Sequence, residues 1–253
     1  MTTAARRTVL VTGAARGLGR VMAERFAATG WQVVITDRDG DGLARAAAEL
    51  TAQPDHRVHV VEGDLTDAAD TQRIVEGTVE AFGGVDVLVN NAGLAPVIPF
   101  LDTDMEQLRE LLSVNVEAVF RLTQLVARQM ITQRRGGRVL MLGTANAVVG
   151  VNGTAAYTAS KGAVTALARE LAVELGPHGI LCNVIAPGTV LTPRVTAMLD
   201  EEAIQRRLDR IPGGRFATEQ DIAEATLFLA SDAAGAINGQ ILVIDGGFSI
   251  LGA

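Results

Sequence analysis

The chain has 253 residues, is 48% hydrophobic and 20% charged, and carries a formal net charge of −7, so it holds enough apolar material for a substantial folded core. The acidic balance, with arginines scattered rather than blocked, argues against a nucleic-acid partner, because binding to a phosphate backbone relies on clustered positive charge. The single cysteine, Cys182, excludes an intramolecular disulfide.

Along the chain, short β-rich runs recur at Thr8 to Val11, Gln32 to Thr36, Val58 to Glu62, Val85 to Asn90, Arg138 to Leu142, Leu181 to Ile185 and Gln240 to Ile244. Between them lie helical patterns at Leu18 to Ala28, Leu43 to Thr51, Ala68 to Phe82, Met105 to Ile131 and Ala155 to Leu175. Near-continuous apolar strands separated by amphipathic helices predict an α/β fold with a parallel sheet covered on both faces, doubly wound in the Rossmann manner. No Pro/Ser-rich linker, composition shift or internal repeat divides the chain, so residues 1–253 are expected to form one domain. Cys182, in the apolar run Ile180 to Ile185, is expected in a buried strand.

His56, His59 and His178 lack metal-ligand spacing, and one cysteine cannot complete a thiolate site, so no metal is implied. Met1 to Arg7 is too short and polar for a signal peptide, and no apolar run reaches membrane-spanning length. A soluble, cytoplasmic protein with no membrane partner is expected.

The first strand runs into Thr12-Gly13-Ala14-Ala15-Arg16-Gly17-Leu18-Gly19, where a helix begins. Glycines at such a turn let the backbone approach a pyrophosphate whose charge meets the helix N-terminus. The second strand closes with Thr36-Asp37-Arg38, which puts a carboxylate about twenty residues downstream, where an adenosine ribose would be held. A helix-capping role is the plainer alternative for Asp37.

The only tyrosine and the only lysine, Tyr157 and Lys161, stand four positions apart on the predicted helix, and every other basic side chain apart from histidine is arginine. Residues i and i+4 share a helix face, so phenol and amine meet at one site. A free phenol titrates near ~10, and an adjacent fixed cation favours the phenolate. A tyrosine held this way can protonate a carbonyl oxygen or deprotonate an alcohol while hydride moves at the carbon.

Thr12-Gly13 with Gly17-Leu18-Gly19, Asn90-Asn91-Ala92-Gly93, Tyr157 with Lys161, and Pro187-Gly188 resemble, in order and spacing, the short-chain dehydrogenase/reductase family, and the resemblance extends to Gly239 through Gly247 near the end. It implies a seven-stranded parallel sheet. It also implies that Tyr157 is the general acid/base, that Lys161 biases its ionisation and holds the nicotinamide ribose, and that Asn115 helps fix a water in the proton relay. Gly13, Arg16, Gly17, Leu18, Gly19 and Asp37 are implied in cofactor binding, with Asp64 and Leu65 flanking the adenine. Asn91, Ala92 and Gly93 are expected to line the cleft, and Pro187, Gly188, Val190 and Thr192 to grip the nicotinamide. The family's usual serine is replaced here by Thr144, which keeps the hydroxyl but stiffens χ1; the alternatives are that Thr144 only packs while Asn146 polarises the carbonyl, or that catalysis is impaired.

Asp37 favours NAD(H), since a carboxylate accepts from a 2′-hydroxyl and repels a 2′-phosphate; Arg16 and Arg38 leave NADP(H) possible. A lid is expected over residues 192–215, containing Arg194, Met198, Leu199 and the acidic Asp200-Glu201-Glu202, the trio starting or decorating a solvated helix. Ala95, Ala145, Val151, Asn152 and Leu191 are candidate pocket walls. Three functions compete: a dehydrogenase of a secondary alcohol, polyol, sugar or cyclic alcohol; an NADPH-dependent reductase of 3-oxoacyl thioesters; and a non-catalytic dinucleotide-binding protein. By resemblance, a homotetramer acting on a small-molecule alcohol or carbonyl is expected.

Overall fold

The computed structural model describes residues 6–196 and 200–251. Seven parallel strands form one sheet in the order β3-β2-β1-β4-β5-β6-β7: β1 (Thr8–Thr12), β2 (Gln32–Thr36), β3 (Arg57–Val60), β4 (Val87–Asn90), β5 (Gly137–Leu142), β6 (Ile180–Pro187) and β7 (Ile241–Ile244). The helices are α1 (Gly17–Ala28), α2 (Gly40–Thr51), α3 (Ala68–Phe82), α4 (Met105–Leu112), α5 (Ala118–Gln133), α6 (Ala155–Leu175), α7 (Pro193–Thr196), α8 (Glu201–Leu208) and α9 (Glu219–Ala230).

The central strands are largely apolar on both faces because both faces are covered, while edge strand β3, Arg57–Val60, is exposed or half-buried. Val9, Val11, Val33 and Ile35 point into one core with Met22 and Phe26 of α1, Leu43 of α2 and Ile222 of α9. Leu10, Val34, Leu88 and Val139 point into the other with Ile74 of α3, Leu122 and Val126 of α5 and Val164 of α6. Cys182 lies in this second core, where burial pushes its thiol up to about 12 and leaves it unreactive. Among the described residues no helix is long and apolar enough to cross a membrane.

Strand order reverses between β1 and β4, so a crevice opens at their carboxyl ends, the place where doubly wound sheets bind ligands. Thr12 ties the two strands together there. Its hydroxyl donates to the Val89 carbonyl (3.3 Å) and accepts from the Asn91 and Ala92 amides (both 3.0 Å). Gly13 and Gly19 allow a close fit behind it: a β-carbon on Gly13 would sit 2.9 Å from Ala92 Cα, and one on Gly19 would fall 2.2 Å from the Gly13 carbonyl oxygen.

The helical pattern from Met105 to Ile131 is not one α-helix. It breaks at Ser113–Glu117 into a π-turn, in which the Ala118 amide donates to the Ser113 carbonyl five residues back. The inserted residue turns Asn115 fully inward. Helix α2 starts three residues before Leu43, because the Asp39 carboxylate accepts from the Gly42 amide and overrides the poor helix propensity of two glycines. The trio at Asp200 does start a helix: Asp200 caps α8 by accepting from the Ala203 amide (2.6 Å). Met198 and Leu199 lie outside the described residues.

Because the Thr12 hydroxyl serves two amides and a carbonyl at a buried point, Thr12→Val should lose about 3 kcal/mol in urea denaturation while Thr12→Ser keeps most of the stability. Equal stability of the valine variant would show that this tie does not hold β1 to β4.

Candidate active site

The crevice is built from the carboxyl ends of β1, β4, β5 and β6. At β1, Gly17 takes a left-handed φ of 56° and opens α1. Helices α2, α3, α4, α8 and α9 each begin with an Asp or Thr whose side chain accepts from a first-turn amide, and each has an acidic residue in that turn. Helix α1 has neither: Arg16 at its N-cap position makes no side-chain cap, and the first turn carries no acid. Helix α6 also starts without a side-chain cap or first-turn acid, but α1 follows the glycine turn at the strand-order reversal, an arrangement that suits the diphosphate of a dinucleotide. Leu18, within that turn, packs against the core.

Asp37, just past β2, reaches back to this turn, its Oδ2 accepting from the Ala15 amide at 3.2 Å and its Oδ1 from the Asp39 amide at 3.1 Å. Asp39, Asp41 and Glu62 stand around the same corner; a β-carbon on Gly40 would lie 2.6 Å from Glu62 Oε2. The Arg16 guanidinium extends into solvent and meets Asp39 Oδ2 at 3.4 Å. Asp64, after β3, is held below the usual carboxylate range, first by the Thr66 amide, then by the Thr66 hydroxyl, with Arg38 adding attraction. Leu65 packs partly buried against the second core.

At β4, the Asn91 side-chain amide is committed to the first turn, donating to the carbonyls of Thr12 (2.8 Å) and Gly13 (3.1 Å), which holds the segment after β4 against the glycine turn. Ala92 follows, and Gly93 lies against the centre of the site. A β-carbon at Gly93 would stand 3.0 Å from Asn115 Oδ1 and 3.4 Å from Lys161 Nζ.

Lys161 is buried, and its ammonium donates to the Leu142 carbonyl at 2.7 Å, at the end of β5. Desolvation pushes it down to about 8. Tyr157, one helical turn earlier, is half-buried beside Ile98, Gln107 and Leu111. Asn115 donates to the Leu94 carbonyl (2.9 Å) and to Ser160 Oγ (2.9 Å), and its Oδ1 accepts from the Leu94 amide (2.8 Å). Ser160 donates in turn to the Tyr157 carbonyl (2.7 Å). Asn115 therefore clamps the segment after β4 to the turn of α6 that carries Tyr157 and Lys161. Thr144 is buried just past β5, its hydroxyl accepting from the Asn146 amide at 3.2 Å.

At β6, Gly188 packs where a β-carbon would come within 2.6 Å of Asp245 Cβ, and its amide donates to the Ile244 carbonyl (2.9 Å). Pro187 pairs with Ile244. Val190 forms a β-bridge with Ala217, and the Thr192 hydroxyl accepts from the Val195 amide (3.3 Å). Arg194 belongs to α7, but its side chain is not among those described. An open cleft of about 340 Å³ beside α6 is lined by Phe100, Asn146, Val151, Asn152, Thr154 and Thr158, with glycine and alanine completing it. Of the expected walls, Val151 and Asn152 line this cleft, while Ala145 is buried and does not line it. Among the described residues there is no group of three or more His, Cys, Asp or Glu placed to hold a metal.

Ser160, Leu94 and Asp245 join this assembly without belonging to any motif assigned a role, and Thr12, although part of the glycine-turn motif, makes a tie to β4 that the motif does not show. Ser160 was the most accessible of these, since a hydroxyl three residues past Tyr157 can donate back to its carbonyl within the same helix. Asp245 joins through the amides of Gly247 and Ser249, contacts that no short-range pattern announces.

Residues 13–249 match a family model described as enoyl-(acyl carrier protein) reductase. The chain is 36% identical over 245 residues to L-rhamnose 1-dehydrogenase (NAD(P)(+)) of Sphingomonas sp., covering 96% of both chains. It is 36% identical to D-threitol dehydrogenase of Mycolicibacterium smegmatis, over 96% of this chain and 93% of that one. A 7α-hydroxysteroid dehydrogenase solved with NADH and 7-oxo glycochenodeoxycholic acid superposes with a TM-score of 0.91 at 34% identity, covering 95% of this chain and 93% of the other. The chain belongs to the short-chain dehydrogenase/reductase family. Within it, the protein is an NAD(P)-dependent oxidoreductase acting on CH–OH groups.

The lysine shift sets a sign for stability. The unfolded chain holds its lysine proton up to the ordinary value of 10.5, and the folded chain releases it near 8. Between these values unfolding takes up a proton, so the penalty for burying Lys161 is full below pH 8 and is relieved as pH rises. Relative to Lys161→Met, the wild-type apoprotein should gain on the order of 2 kcal/mol between pH 7.5 and pH 10 in urea denaturation. A difference that does not change with pH would contradict this.

Proposed function

We propose that this protein is an NAD(H)-preferring dehydrogenase of neutral polyhydroxylated substrates, a sugar or polyol, with Tyr157 as general acid/base. The observation that carries the reading is the buried Lys161 ammonium, fixed by the Leu142 carbonyl one turn below the only tyrosine. When bound, the nicotinamide supplies the hydride acceptor or donor. The Tyr157 phenol takes the proton of the substrate hydroxyl in oxidation and returns it to the carbonyl oxygen in reduction. Lys161, protonated at neutral pH, spends one N–H on Leu142 and has two left for the phenolic oxygen and a cofactor ribose hydroxyl. Thr144 holds the substrate oxygen, and Asn115 holds the relay in register through Leu94 and Ser160.

Two observations support the finer choices. The cleft beside α6 is lined by amides, hydroxyls and apolar groups with no charged side chain, which suits a neutral hydroxylated substrate. The relatives named for rhamnose and threitol fit the same class. At the ribose end, Asp37 meets the glycine turn while Arg16 leans to Asp39 and Arg38 acts on Asp64, so the Asp37 carboxylate disfavours a 2′-phosphate there. Residues 192–215 are read as a lid over this cleft, and a cytoplasmic homotetramer as the working form.

Tyr157→Phe should lower kcat by at least about a hundredfold while NADH still binds. In the same assay Thr144→Ser should keep most activity and Thr144→Val lose much of it; a fully active valine variant would remove Thr144 from the mechanism. Asp37→Ala should raise the ratio of kcat/KM for NADP+ over NAD+ about tenfold or more. An unchanged ratio would refute the assignment of cofactor preference to Asp37.

A further inference from the structure

One carboxylate near the crevice has no place in the mechanism above. Glu219 is the first residue of α9, whose start is already capped by the reciprocal bonds of Thr218 and Asp221. Asp221 is further held ionised by the Arg215 guanidinium, which meets both its oxygens at 2.6 and 3.0 Å. Glu219 therefore adds little to the capping of its own helix. Its Oε1 is buried and accepts no hydrogen bond. That oxygen lies 3.8 Å from where a β-carbon on Gly17 would be, at the uncapped opening of α1.

We propose that Glu219 sets how tightly the dinucleotide is held, its carboxylate competing with the cofactor's diphosphate for the amide end of α1. The physics is a three-body balance. The unsatisfied amides of α1 attract an anion, and Glu219 supplies one from the neighbouring helix, partly occupying that field. A diphosphate entering the same field meets a half-desolvated like charge, poorly screened because one carboxylate oxygen is away from water. Helices α2, α3, α4, α8 and α9 cap themselves locally, whereas α1 has no side-chain cap and the unpartnered Glu219 oxygen stands at its opening; Glu219 is thus a counter-anion that favours release of the cofactor.

Removing the charge while keeping the shape should tighten binding. By calorimetry, Glu219→Gln should bind ADP-ribose and NADH about three- to tenfold more tightly than wild type, with the gap narrowing at high salt. Adenosine, which lacks the diphosphate, should bind both proteins equally. Glu174→Gln, which removes an exposed charge on α6, should leave all affinities unchanged and so control for net charge. Thermal unfolding of the apo variants should confirm that Glu219→Gln folds as wild type does. Equal or weaker binding of ADP-ribose by Glu219→Gln, or a gain shared by adenosine or by Glu174→Gln, would overturn the proposal. A wild type that binds no dinucleotide would overturn the cofactor reading itself and this inference with it.

Discussion

A single ammonium buried at the end of β5 is the constraint around which the rest of the site is arranged. An isolated charge in that position is unfavourable, and the fold offsets it with the Leu142 carbonyl at 2.7 Å, a group available because Leu142 is the last residue of β5. The next residue, Gly143, still holds to β6, its amide donating to the Ile185 carbonyl at 2.7 Å. Gly93 leaves room for the ammonium from one side and Asn115 locks the loop above it. The compact ammonium reaches the Leu142 carbonyl beside Gly93, a geometry that the planar fork of arginine does not reproduce.

The second organising feature is how the fold distributes charge over helix starts. The chain caps α2, α3, α4, α8 and α9 with Asp or Thr and sets acids in their first turns, while α5 and α6 start with neither. At the strand-order reversal it withholds both, and places Thr12, Gly13 and Asn91 so that β1 and β4 interlock beneath the exposed amides. Stability at this point is carried by one hydroxyl and one amide rather than by a cap. The separation leaves the first turn of α1 uncommitted while the strands behind it are tied together.

The parts legible in the sequence were those fixed by short-range pattern. The apolar strands, the glycine turn followed by Asp37, and the Tyr157–Lys161 spacing each depend on a few neighbouring residues, and the sheet places them at one edge. The break at Ser113–Glu117 was not legible, because a π-turn differs from a continued helix by one residue of hydrogen-bond register, and its cause is Asn115 bonding to Leu94 and Ser160, far away in the chain. The start of α2 at Gly40 was hidden by glycines that read as a turn until the Asp39 cap is seen. Helix α9 was absent from the helical patterns although Thr218 and Asp221 carry a capping-box spacing; its importance lies in packing on α1, a contact some two hundred residues distant in sequence.

The central claim, that burial tunes the lysine one turn from Tyr157, can be read directly because Lys161 is the only lysine. Protein labelled with [ε-13C]lysine should give one side-chain resonance, and its titration in the folded apoprotein should centre near 8, as the desolvated ammonium requires. A midpoint at the ordinary lysine value of 10.5 would show an ammonium still in water and would contradict the account.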